Sequence, residues 1–84
     1  MTGVKQTPLT DKLRLALWIA RRRRGLTQQQ LAERMRARGY GRGWDHALIA
    51  RIEGRGGVRS ISFEEALDLV AALQEPLTAE ELGL

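Results

Sequence analysis

The chain has 84 residues, 43% of them hydrophobic and 29% charged, and no cysteine; this suits one small folded domain and excludes a disulfide framework or any cysteine-based metal site. The formal net charge of +4 hides two unlike regions: residues 1–60 hold all 14 basic residues and four acids, whereas residues 61–84 hold six acids and no base. No apolar run approaches the roughly 20 residues that cross a bilayer, and Met1–Thr10 lacks the apolar core of a secretory signal, so a cytoplasmic protein with no membrane partner is expected. The aromatics are only Trp18, Tyr40, Trp44 and Phe63. A core built mainly from Leu, Ile, Val and Ala favours packed helices over a small sheet sandwich.

In chain order, residues 1–9 show no periodicity and read as a flexible arm, leaving 10–84 as the single domain. Thr10 is a candidate N-cap with Asp11 in the first turn. Leu13, Ala16, Leu17 and Ala20 then repeat with helical spacing, and Gly25 stops this first helix after Arg21-Arg22-Arg23-Arg24. Thr27 and Gln30 form a capping box for a second helix that buries Leu31, Ala32 and Met35 and runs to about Arg38. Gly39-Tyr40-Gly41-Arg42-Gly43 is too glycine-rich to remain helical. Asp45 caps a short third helix with Leu48, Ile49 and Ile52 inward, and a basic loop with Arg55 and Arg59 follows. Ser62 and Glu65 cap a fourth helix whose expected inner face is Phe63, Ala66, Leu67, Val70 and Leu73. Pro76 breaks the chain, and Thr78 with Glu81 caps a last short turn through Leu82. The fold class is all-α, a bundle of about five short helices.

The segment from Thr27 to Glu53 is the informative one. Two short helices are joined by a connector, and small Ala32 beside buried Leu31 allows a close crossing. That is the pattern of a helix-turn-helix, whose second helix enters the major groove of DNA. Three stretches, RRRRGLTQQQLA (Arg21 to Ala32), LIARIE (Leu48 to Glu53) and SFEEALDLVAAL (Ser62 to Leu73), occur in the order found in the lambda-repressor-like, Cro-type helix-turn-helix regulators, which this chain resembles from about Leu13 to Leu73. One feature departs from that family. Leu31 and Ile49 are 18 residues apart, an insertion of about seven relative to its commoner members, which should lengthen the second helix and the connector. Trp44 also stands where the family usually has a small apolar residue.

The resemblance implies roles for particular residues. Gln28 corresponds to a glutamine that reaches a backbone phosphate at a helix N-terminus, with Thr27 as the cap beside it; the alternative is a solvated surface amide. Arg21 corresponds to an arginine that pairs with the glutamate closing the recognition helix, here Glu53, and that often also faces a phosphate. The base-reading positions on recognition helix 45–53 fall on His46, Ala47, Ala50 and Arg51. Arg51 suits a bidentate contact to a guanine edge, and the two alanines suit close approach or a thymine methyl. For His46 the alternative is a surface histidine, and for Arg51 a solvent-facing or phosphate-only arginine. Arg42, Arg55 and Arg59 suit phosphate clamping. About a third of Arg22, Arg23, Arg24, Arg34, Arg36 and Arg38 are expected to face DNA. Lys5 on the N-terminal arm could reach a minor groove.

A single histidine, no cysteine and no carboxylate pair in an apolar setting give no catalytic or metal-binding constellation, so neither an enzyme nor a cofactor is expected. The leading expectation is a sequence-specific transcriptional regulator, a repressor that binds double-stranded DNA as a homodimer on a two-fold operator. The acidic C-terminal third is the expected dimer surface, or the surface for a partner protein. The alternatives are an antitoxin-type or other protein-interaction module of the same fold, and a nonspecific nucleoid or membrane-surface binder.

Overall fold

Polar caps set where the second, third and fourth helices begin. The computed structural model describes residues 11–54 and 61–84, with the side chains of Asp11 and Lys12 outside that description. Among these residues there are four helices and no strand: α1 (Asp11–Arg24), α2 (Gln28–Ala37), α3 (His46–Ile52) and α4 (Phe63–Gln74). Thr27 caps α2 as expected: its Oγ1 accepts from the Gln30 amide at 3.0 Å, and the Gln30 side chain accepts from the Thr27 amide at 2.9 Å. Ser62 and Glu65 form the same reciprocal pair at the start of α4. Asp45 caps α3, and the hydrogen bond from the Leu48 amide (2.9 Å) holds the Asp45 carboxyl below its ordinary pKa. The cap expected at Thr10, the N-terminal arm with Lys5, and the loop arginines Arg55 and Arg59 lie outside the described residues.

The first two helices end the same way. Gly25 and Gly39 adopt φ of +74° and +101°, a region where a side chain would be strained. Their amides and those of Leu26 and Tyr40 turn back to close the last turns, the latter two bonding to the carbonyls of Arg21 and Met35. This closure throws Leu26 and Tyr40 back onto the core. In place of a fifth helix there is a single turn over residues 79–83, with Thr78 and Glu81 in the expected capping exchange.

The core centres on α2. Leu31, Ala32 and Met35 are buried against Leu48, Ile49 and Ile52 of α3 and against Leu69, Ala72 and Leu73 of α4. Ala32 has no exposed surface, as the expected close crossing requires. Trp44 fills the approach to α3, its ring tilted on Tyr40 with centroids 5.1 Å apart. Two expected faces are corrected. On α4, the buried positions are Leu69, Ala72 and Leu73, whereas Phe63, Leu67 and Val70 are exposed. On α1, Leu17 is buried, but Leu13 and Ala16 are open. The cause is rotation of α1 toward Arg14 and Arg21, both of which are buried.

Candidate nucleic-acid interface

Helix α3 spans only seven residues, too few to be stable alone. Its inner side packs on α2, and its C-terminal end is held by α1. Arg14 Nη1 donates to the Ile52 carbonyl at 3.0 Å, satisfying one of the acceptors a helix end leaves open. Arg21 grips the Glu53 carboxylate with two donors, Nε at 2.7 Å and Nη2 at 3.1 Å, and places Nη1 on the Leu26 carbonyl at 2.8 Å. Gln28 Nε2 adds a third donor to Glu53 at 3.1 Å. The Glu53 side chain is 2% exposed. Thus α1, the start of α2 and the end of α3 meet at one carboxylate, fixing the tilt of α3.

With Leu48, Ile49 and Ile52 inward, helical geometry turns His46, Ala47, Ala50 and Arg51 outward. His46, Ala47 and Arg51 are exposed and Ala50 is half-buried. Ala47 and Arg51 lie one turn apart on the same side. These are the four positions expected to read bases, so the structure brings them together on one face. Arg42 is exposed on the connector between two glycines. Thr27 and Gln28 stand at the start of α2, where the first amides of a helix favour an anion. Arg21 differs from Thr27 and Arg42: it is 7% exposed and has three donors engaged inside the protein, leaving little to offer a phosphate. Gln28 likewise turns its Nε2 onto Glu53, which leaves its backbone amide for an anion.

The arginines divide into two populations. Arg34, Arg36 and Arg38 on α2 face carboxylates: Glu81 at 2.5 Å, Glu33 at 4.0 Å, and Asp68 and Glu75 at 3.5 and 2.6 Å. Among the described residues, Arg22, Arg23, Arg24, Arg42 and Arg51 make no such ion pair. Arg22 instead lies over the Trp18 ring, 5.2 Å from its centroid. Among the described residues, the exposed positive charge without a carboxylate partner is therefore at the C-terminal end of α1, on the connector and on α3.

Four side-chain contributions are not legible in the sequence. Arg14 was hidden among apolar neighbours; its spacing of seven from Arg21 is the signal that both share a helix face. Arg34 was grouped with surface arginines, yet it is buried and makes five hydrogen bonds. They reach both Glu81 carboxylate oxygens and the carbonyls of Ala72, Glu75 and Pro76. Tyr40 Oη donates to Asp68 at 2.5 Å, and that bond raises the phenol pKa to about 12. Arg36 adds a bond to the Trp44 carbonyl at 3.0 Å. The connector between α2 and α3 is thereby tied to α4 and α2. No described group of His, Asp or Glu could hold a metal ion, and no described helix is long and apolar enough to cross a membrane.

No family model matches this chain, and no curated protein or solved structure matches it significantly.

Proposed function

We propose that the chain is a sequence-specific DNA-binding regulator in which α2 and α3 act as a helix-turn-helix of the lambda-repressor-like kind. In this reading α3 is the recognition helix, and the protein represses by occupying a promoter. The observation that carries it is the outward face of α3: small Ala47 and Ala50 beside His46 and Arg51, on a helix locked from behind by Arg14, Arg21 and Gln28. A base-reading helix needs small residues for close approach, a bidentate donor for a guanine edge, and a fixed orientation. Arg22, Arg23 and Arg42 would supply phosphate contacts, which add affinity without sequence information. One short helix reads few base pairs, so this reading calls for two copies on a two-fold operator.

The test is selection of bound duplexes from a random library at about 0.15 M salt, where nonspecific phosphate binding is already weakened. A dyad-symmetric motif with half-sites about one helical turn apart supports the proposal. Binding without enrichment would leave a nonspecific architectural role, and no binding would sink the DNA reading. Arg51→Ala should relax preference at one position per half-site by roughly 1–3 kcal/mol. Gln28→Ala should weaken all sequences alike.

A second reading, an antitoxin-type interaction module, is favoured by one observation: the exposed apolar face of α4. The acidic segment supports it less, because Asp68, Glu75 and Glu81 already bind Arg38, Tyr40 and Arg34 within the chain.

A further inference from the structure

Helices α1 and α4 each carry an apolar stripe at helical spacing that the described residues leave exposed. On α4, Phe63, Leu67 and Val70 follow each other by four and three residues and are 77%, 53% and 42% exposed. Where α1 crosses the C-terminal part of α4 lies a groove of about 290 Å³, floored by Leu13, Ala16, Ala20 and Leu73, with Arg24 on its lining. A contiguous apolar patch of this kind on a small domain marks an interaction face rather than ordinary surface.

Four features identify the occupant. The face bears a protruding aromatic ring, an apolar groove, an exposed acid beside the ring (Glu64) and a base in the groove (Arg24). Neither charge has an ion-pair partner among the described residues. Each feature has its complement on the same surface, and a two-fold operation sets such complements opposite one another. The groove is large enough, since an apolar cavity of about 150 Å³ already holds a benzene ring. Along α4, Phe63 and Val70 are about 10 Å apart, with Leu67 between them.

We propose that this face pairs two copies of the chain about a two-fold axis passing near Leu67. Phe63 of each copy enters the α1–α4 groove of the other, Glu64 meets the other copy's Arg24, and the two Leu67 side chains pack together. The interface is apolar with charges at its margins, and the dimer is expected at micromolar concentration. This supplies the pairing that a two-fold operator demands. It rests on the DNA reading for that purpose alone, because the association itself needs no DNA.

Sedimentation of the full chain without DNA over the micromolar range tests it, alongside Phe63→Asp and Leu67→Cys. The wild type should dimerise. Phe63→Asp should weaken the dimer about tenfold or more with helix content unchanged, since Phe63 makes no part of the core. Leu67→Cys should oxidise to a covalent dimer, because the chain has no other cysteine. It should do so faster than a Glu33→Cys control, which lies exposed on α2. Reversing Glu64→Arg and Arg24→Glu together should restore association that either change alone weakens. A wild type that stays monomeric would overturn the proposal, as would a dimer indifferent to Phe63→Asp or equal crosslinking by the two cysteines. DNA binding without dimers would sink this interface alone; dimers that bind no DNA would sink the regulator reading alone.

Discussion

The arginines of α2 and those around α3 are one residue type in two settings, and what they face separates them. Arg34 sits in a ring of acceptors, with Glu81 and three backbone carbonyls using its fork of donors, and it clamps the C-terminal turn to α2 and α4. Arg51 projects from α3 into solvent with no carboxylate beside it among the described residues. The charge segregation along the chain takes on a different meaning. Asp68, Glu75 and Glu81 fold back onto Arg38 and Arg34 of α2, so the two regions neutralise each other there. Among the described residues the unpaired cations remain at the end of α1, on the connector and on α3.

The largest expected effect tests that division through stability. Arg34→Ala removes one partner of a buried pair and strands the Glu81 carboxylate with the carbonyls of Ala72, Glu75 and Pro76, which should cost about 3–5 kcal/mol. For a domain of this size that is a fall in Tm of more than 10 °C, at about 4–8 °C per kcal/mol. Arg51→Ala should change stability by about 0.5 kcal/mol or less, as for an exposed residue without structural partners. Urea unfolding of both variants compares them directly; equal losses would erase the distinction between the two populations.

A smaller effect appears in the pH dependence of stability, where the same region acts at both extremes. The hydrogen bonds from Arg34 hold the Glu81 carboxyl at about 2, below its ordinary 4.5. Its contribution is therefore complete above 4.5 and is lost as pH falls toward 2. The Asp68 bond raises Tyr40 from 10.0 to about 12, so the phenol's contribution is complete below 10 and is lost as pH rises toward 12. Glu81→Gln should flatten the acid limb of a stability–pH curve and Tyr40→Phe the alkaline limb. Either variant shifting the opposite limb would contradict the assignment.

The helices were legible because their signals are local: Thr27, Asp45 and Ser62 cap α2, α3 and α4, and Gly25 and Gly39 close α1 and α2. The outward face of α3 was legible too, since Leu48, Ile49 and Ile52 fix which side is buried. The facing of α1 and α4 was not. Periodicity identifies an apolar stripe but not what covers it, and at α1 two buried arginines outweigh Leu13 and Ala16 because the end of α3 needs their donors. Arg34 was illegible for a related reason: its partners lie 38 to 47 positions away in sequence, and nothing local marks it as buried.

The finest test of the comparison is the salt dependence of DNA binding, if the regulator reading holds. Each phosphate contact contributes about −0.9 to the slope of log affinity against log salt. Removing Arg23 or Arg42, which lack carboxylate partners among the described residues, should make the slope shallower by about one when that residue meets a phosphate. Removing Arg38, held by Asp68 and Glu75 across to α4, should leave the slope as it was while lowering stability slightly. The slope separates the populations more sharply than affinity does, because it counts released counterions and is indifferent to small changes in folding. An Arg38→Ala slope change equal to that of Arg42→Ala would mean that the ion pairs of α2 open on binding. The basic interface would then extend around α2 to the face that the acids now cover.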